Sequence, residues 1–404
     1  MPRAGWRKPE SGERLSDHIS IGVLTHVYPP AVVDAAIAQT GKHERRHRLL
    51  PARVVMYYVM AMALFSEDAY EEVMRRLVDG LSWLAAWRTR WTVPTKAAIF
   101  KGRARLGADP LLALFRAVVK PLGAPGSRGV WYRGWRLMSI DGSTLDVADT
   151  PENDAHFGRP GHSRGGERSA FPQLRLAALA ENGTHAIIDA AMGPYGTSES
   201  KLTRELLPSL HAGMLCLADR GFFSYALWQE ATRTEADLLW RVAKHLVFPV
   251  LQELPDGSYI SRLYASDSDR QHDRSGSTVR VIEYTLDDPG RPQTDTVYRL
   301  VCTILDPADA PAEELAALYC ERWEIETALD ELKTHQRGPR AVLRSKTPEG
   351  VIQEMYGYLL THYAIRALMH EAAVLADEDP DRLSFIRTLR VVRRNIDGAK
   401  SFSP

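Results

Sequence analysis

Two aspartates in this 404-residue chain stand where apolar runs stop. Asp141 follows LMSI and precedes Gly-Ser, and Asp219 follows MLCLA and precedes Arg-Gly. Each run reads as a buried strand, and each glycine-containing sequel as a turn. Carboxylates at the ends of adjacent strands point into one crevice, where two acids repel each other unless a cation lies between them. Mg²⁺ is a hard cation that takes oxygen ligands of this kind. With a third carboxylate the site would hold two metals about 4 Å apart, one activating water and one steadying the leaving oxygen.

The natural third ligand is Glu326, in the stretch YCERWEIETALDELK from Tyr319 to Lys333. At roughly 100° per residue, Tyr319, Arg322, Glu326 and Lys333 fall within about 60° of one another on a helix. Leu318, Ile325, Ala328, Leu329 and Leu332 gather on a neighbouring, core-facing stripe. The polar ridge is either a solvated face laced with ion pairs or one wall of an active site. In the second case Arg322 and Lys333 meet phosphate oxygens, as a fork and as a point charge, and Tyr319 donates to a phosphate or packs on a sugar. Phosphoryl transfer needs chiefly such positioning and charge neutralisation. Taken singly, each aspartate reads as a turn or cap residue; their order and context along one chain favour a metal-dependent nuclease-like site. A sugar hydrolase with paired carboxylates fits less well, since Arg322 and Lys333 suit a polyanion.

The elements that must position these groups are legible in outline. Residues 15 to 125 read as all-helical, with helices expected over Ile21–Thr40, Val54–Leu77 and Pro110–Val119. Within them VPTKAAIFKGRARLG predicts a short helix between Pro94-Thr95 and Gly107, from which Lys96, Lys101, Arg103 and Arg105 project. It is either the recognition helix of a helix-turn-helix or a surface helix. The Gly/Pro-rich stretch Pro121–Gly129 marks a boundary. Beyond it the pattern predicts a strand over Trp135–Val147 and a hairpin over Gln173–Gly193 turning at Asn182-Gly183. A helix capped by Ser198 follows, then a strand over Met214–Ser224 that breaks at Asp219, a helix over Tyr225–Thr234 and a strand over Ala236–Ala243. That order implies a mixed sheet covered by helices. Residues 244–305 read as a β-rich insertion, Pro311–Lys333 as one long helix, Val351–Leu375 as another, and residues 381–404 as a basic tail. The domain boundaries expected are 1–125, 130–243, 244–305, 306–380 and 381–404.

The bulk numbers set limits. The composition, 45% hydrophobic and 25% charged, is that of an ordinary globular protein. No apolar run is long enough to span a membrane, and the opening MPRAGWRKPESGERLSD has no segment suited to a secretory signal. Three scattered cysteines, Cys216, Cys302 and Cys320, argue against a disulfide framework or a zinc site and for a reducing, cytoplasmic compartment. Net charge is zero, with 51 basic and 51 acidic residues. Any polyanion contact would therefore rest on the local basic clusters Lys42–Arg53, Arg88–Arg105 and Arg382–Lys400.

The spacing Y-x2-R-x3-E-x6-K, filled by Tyr319, Arg322, Glu326 and Lys333, resembles the signature of DDE transposases of the insertion-element-4 family. SIDGSTLDVADTPENDAHFGRPG and LADRGFFSYALW resemble the family's two aspartate regions, and Leu15–Trp83 is similar to its helical N-terminal domain. The resemblance implies an α/β, ribonuclease-H-like fold with a β-rich insertion and an all-helical DNA-binding N-terminal domain. It implies Mg²⁺, or Mn²⁺ in its place, held by Asp141, Asp219 and Glu326 as catalytic triad, with Tyr319, Arg322 and Lys333 holding the DNA end. It further implies cleavage and strand transfer at terminal inverted repeats of double-stranded DNA, without a covalent protein–DNA intermediate, by a homodimer in the DNA complex that is nucleoid-associated when bound. An aromatic residue, Trp240 or Trp323, is expected to steady a flipped base. The chain ends soon after RVVRRNIDGAK, where relatives are expected to continue. That keeps open a truncated, inhibitory DNA-binding remnant beside the alternative of a nuclease without strand transfer.

Overall fold

The computed structural model describes residues 22–44, 50–79, 93–161, 170–285, 297–338 and 342–394. The expectations for residues 1–21 and 80–83, and those parts of the basic clusters and tail at 45–49, 88–92 and 395–404, lie outside the described residues.

The chain opens with helices α1 (Gly22–Val27), α2 (Pro30–Gln39), α3 (Ala52–Leu64), α4 (Tyr70–Asp79), α5 (Lys96–Leu106) and α6 (Asp109–Val118). The two long helices expected at 21–40 and 54–77 are each split. Pro29 and Pro30 lack the N–H that would continue α1, and Pro30 instead opens α2. The second splits at Phe65, whose carbonyl accepts from Asp68 N at 3.1 Å in a turn before α4. The short basic helix forms as the sequence predicts: the Thr95 side chain accepts from Ala98 N, and Gly107 ends α5 at φ 73°.

Next come β1 (Trp131–Tyr132), β2 (Trp135–Asp146), α7 (Pro151–Phe157), β3 (Gln173–Glu181), β4 (Ala186–Pro194), α8 (Glu199–Leu206), β5 (Met214–Ala218), α9 (Tyr225–Thr232) and β6 (Asp237–Arg241). The β-rich stretch holds β7 (Gln252–Glu253), β8 (Tyr259–Leu263), α10 (Asp267–Gln271), β9 (Ser277–Tyr284) and β10 (Tyr298–Cys302). Then follow α11 (Ala312–Leu318), a 3₁₀ turn (Tyr319–Arg322), α12 (Trp323–Asp330), a π turn (Glu331–Gln336), α13 (Pro348–Ala376) and α14 (Phe385–Arg394). The single helix expected over 311–333 is thus interrupted twice, and part of the expected tail is helical.

The fold is a mixed α/β one, built on a single mixed sheet with helices. Among the described residues ten strands join in the order β4-β3-β2-β5-β6-β10-β9-β8-β7, with β1 on β2. β2 runs parallel to β5, and β5 to β6, while β10 pairs antiparallel with β6. The β-rich stretch therefore extends the same sheet from its β6 side. No helix among the described residues is long and apolar enough to cross a membrane.

The chain divides into two compact units. The sheet unit comprises Gly123–Ser143 and Arg175–Ala328. Its core joins Leu215, Leu217, Leu239 and Leu300 to Leu315 and Tyr319, so that α11 and the 3₁₀ turn pack on the sheet. Each fully buried leucine contributes about 1.5–3 kcal/mol relative to exposure.

The helical unit comprises Met1–Leu122, Thr144–Leu174 and Leu329–Pro404. α3 is buried along nearly its whole length, as an all-round apolar helix must be. It packs on α13 at Gly357, where an added Cβ would lie 2.8 Å from the Val59 backbone oxygen. Arg366 and His362 on α13 close on the buried Glu331, with Arg366 Nε at 2.9 Å and His362 Nε2 at 3.1 Å.

Candidate active site

Asp219 is the first residue beyond β5, as its sequence context suggests. Asp141 is not at a strand end: β2 continues through Asp141-Gly142-Ser143 to Asp146. The expected turn is absent because the glycine fits the sheet, where a Cβ would meet Leu176 O at 3.4 Å. The parallel register nonetheless brings the two acids level. Ile140 pairs with Ala218, so Asp141 and Asp219 occupy equivalent next positions on neighbouring strands.

The third acid arrives on the segment after α11. Tyr319 OH lies 3.4 Å from both Ala218 O and Asp219 Oδ1. Arg322 Nη2 donates to Glu326 Oε1 at 2.9 Å, and its Nη1 stands 3.7 Å from Asp141 Oδ2. Arg322 therefore lies between two of the three carboxylates. Tyr319 and Arg322 are each only 7% exposed, so they do not form the open ridge that ideal helical spacing predicts. The 3₁₀ turn changes their direction, and the β3–β4 hairpin clamps it there. Asn182 Nδ2 donates to Glu321 O at 2.9 Å, Gly183 N donates to the Glu324 carboxylate, and Ser139 Oγ donates to Asn182 Oδ1 at 2.8 Å. Gly183 is required for the hairpin's close approach: its φ is 75°, and a Cβ would fall 2.5 Å from Gly129 C.

Electrostatics follow from this crowding. The Asp141 carboxyl is raised above the ordinary range, first by burial and further by Glu326 and Asp219, against the opposing Gly142 N–H and Arg322. Burial, with Asp219 beside it, pushes the Tyr319 phenol far up, so that it is a neutral O–H donor. Burial works against the Arg322 charge, but the Glu326 and Asp141 carboxylates beside it help to keep the guanidinium protonated.

One neighbour escaped the sequence reading. Arg241, the last residue of β6, stands 3.5 Å from Asp219 Oδ1, with its guanidinium 4.5 Å from the Tyr298 ring centroid. Its signal is present in the chain, since it ends the apolar run LLW as Asp219 ends MLCLA. Three carboxylates against two guanidiniums leave one negative charge in excess, and all three acids offer hard oxygen donors. The residues present therefore fit a divalent cation.

The remaining candidates separate. Lys333 is half-buried on the π turn and belongs to the helical unit. Trp240 cannot meet a base: it is fully buried, edge-on to Trp228 at 5.5 Å between centroids. Trp323 is 61% exposed, with the Arg322 guanidinium 5.1 Å from its ring centroid. On α5, Lys101 is exposed and Lys96 has its ammonium 5.7 Å from the Tyr70 centroid. Arg105 is exposed and donates to Leu50 O at 2.7 Å. Arg103 does not project. It is buried, donating to Gln353 Oε1 at 2.7 Å, Ser345 Oγ at 2.8 Å and Gly350 O at 3.2 Å, because it lies on the same face as Ile99 and Leu106.

Comparison with known proteins gives the chain's family. Residues 18–116 match the family described as insertion element 4 transposase N-terminal, and residues 134–363 match the transposase DDE domain. The transposase InsG for insertion sequence element IS4 of Escherichia coli K12 is 27% identical over 93% of this chain and 83% of its own. The putative transposase InsZ of the same organism is 30% identical over 54% of this chain and 66% of its own. The cryo-EM structure of the piggyBac transposase synaptic complex with hairpin DNA aligns with 93% of this chain and 80% of that one, at 9% identity and a TM-score of 0.48. That likeness is too slight to argue from.

Proposed function

The chain belongs to the DDE transposases of the insertion-element-4 family, and from that premise we propose that it cuts and rejoins double-stranded DNA at the terminal inverted repeats of its own element. The observation that carries this reading is the convergence of Asp141, Asp219 and Glu326 with an uncompensated negative charge. Asp141, Asp219 and Glu326 are proposed to hold Mg²⁺, two ions per site, with Mn²⁺ able to replace it. A bound cation of this class supplies Lewis acidity at the attacking and leaving oxygens.

The chain's own residues do the positioning. Arg322 is held near the carboxylates by Glu326 and Asp141, from where its fork can take a phosphate as its partner. Tyr319, neutral and buried against the sheet, offers an O–H toward the same corner. Lys333 is proposed as a further phosphate contact, and Lys96, Lys101 and Arg105 as DNA contacts on the exposed side of α5. Trp323 is the aromatic residue free to stack on a displaced base. Action as a homodimer on two DNA ends completes the reading.

The reaction is tested by incubating the protein with a repeat-ended fragment, a supercoiled target plasmid and Mg²⁺. Fragment joined to target through 3′ ends is expected. Cut fragment without any joined product would leave only a nuclease.

A further inference from the structure

α14 reads FIRTLRVVRR and carries no acidic residue. Phe385, Leu389 and Val392 are buried at i, i+4 and i+7 and dock the helix. Its arginines divide into two kinds. Arg393 is structural: its Nε donates to Leu64 O at 2.6 Å and its Nη2 to Gln336 O at 3.2 Å. Arg387, Arg390 and Arg394 are exposed. Their offsets of 0, 3 and 7 place them within about 60° on one face, a stripe about 10 Å long. Among the described residues, none of the three guanidiniums has a carboxylate partner. Elsewhere in the chain several exposed arginines do answer an acid: Arg75 to Glu72, Arg133 to Glu314, Arg204 to Glu230 and Arg382 to Glu378. A stripe of forks with no internal acceptor is suited to an external polyanion.

We propose that this face of α14 is a sequence-independent contact for the phosphate backbone of duplex DNA. The inference rests on the transposase reading for its partner and adds a surface outside the candidate active site. A duplex presents a charge about every 1.7 Å of axis, so a stripe of three cations meets several phosphates at once. Guanidiniums on backbone oxygens fix position without reading bases. Removing them therefore weakens all duplexes alike. Arg393, turned inward, takes no part.

The test compares the full chain with the triple variant Arg387→Gln, Arg390→Gln, Arg394→Gln. Fluorescence anisotropy would measure binding to a mixed-sequence duplex and to a duplex ending in the element's terminal repeat, across a salt series. The expected result is a log–log salt slope shallower by about 2–3, at about 0.9 for each phosphate that is no longer neutralised. Affinity falls by a similar factor for both duplexes, so their ratio is unchanged, and the thermal midpoint does not move. Lysine at all three positions should restore most of the slope. Should the triple variant fold poorly, Arg390→Gln alone carries the test, with a slope loss of about 1. An unchanged slope, or weakening confined to the terminal repeat, would overturn the proposal. So would a changed oligomeric state with unaltered DNA binding, which would make the stripe a contact with a second copy. If the wild-type chain binds neither duplex, the transposase reading falls as well; if wild type binds and cuts and the variant matches it, only the role of α14 falls.

Discussion

Arg103 and Arg322 are both buried, at 8% and 7% exposure, and they do opposite things. In the helical unit, Arg103 spends its donors on Gln353, Ser345 and the Gly350 carbonyl, all neutral groups of its own unit. In the sheet unit, Arg322 lies between Asp141 and Glu326, with Asp219 and Tyr319 close by. The same contrast holds for the acids. Glu331 is matched by Arg366 and His362, whereas Asp141, Asp219 and Glu326 exceed their two guanidiniums. Buried charge that is answered within the fold is structure. Half-buried charge left in excess marks a candidate place for something else to bind.

The sharpest way to break this contrast is to neutralise one member of each acid group. Glu326→Gln should lower DNA cleavage by at least about 10³-fold while leaving thermal stability and repeat binding nearly unchanged. Simultaneous loss of binding and folding would mean that Glu326 is structural. Glu331→Ala should instead cost about 3–5 kcal/mol in urea unfolding, because Arg366 is stranded in the core. Little loss there would show that the helical unit tolerates unmatched charge.

The arginines sharpen the comparison further. Arg322→Ala is expected to reduce cleavage about 10²-fold with little loss of stability. Arg103→Ala should cost about 1–3 kcal/mol by orphaning Gln353 and Ser345, with unchanged cleavage per folded molecule. A salt-sensitive binding defect in folded Arg103→Ala would return that residue to the DNA interface.

The smallest effect concerns Asp141. Burial raises its carboxyl pKa in the folded chain, so the folded state holds this proton more tightly than the unfolded state does. Its ionisation therefore costs stability above the folded pKa, and that cost disappears as pH falls through the window down to the ordinary carboxylate value. In EDTA, Asp141→Asn should raise the urea midpoint at neutral pH, and the gain should vanish under acid conditions, while cleavage in Mg²⁺ is lost at every pH. A lower midpoint in the variant at neutral pH would contradict this account of the acid cluster.

Much of the site can be read from the chain, and the misreadings have local causes. Asp219 is legible because an apolar run of strand length ends beside it. Asp141 is legible as an acid on a strand, but not as a residue in mid-strand: Gly142 looks like a turn, yet Ser-Thr-Leu-Asp carries the strand onward. The 3₁₀ turn at Tyr319–Arg322 is invisible to periodicity, since the groups that clamp it, Asn182 and Gly183, lie far away in sequence. The charge of Arg103 is legible, but its burial is not, because that depends on acceptors near Gln353. α14 looks like a basic tail as long as its arginines are counted and the spacing of Phe385, Leu389 and Val392 is overlooked. Arg241 is easily missed, although it ends its strand as Asp219 follows its own.

The central claim is that the three convergent acids are a catalytic centre for cutting DNA. The most direct test incubates the purified chain with DNA carrying its terminal repeat, with Mg²⁺ or EDTA, alongside Asp219→Ala. The account predicts cuts at the repeat end that require Mg²⁺ and disappear in the variant, with binding retained. Cuts that persist in EDTA or in Asp219→Ala would contradict it.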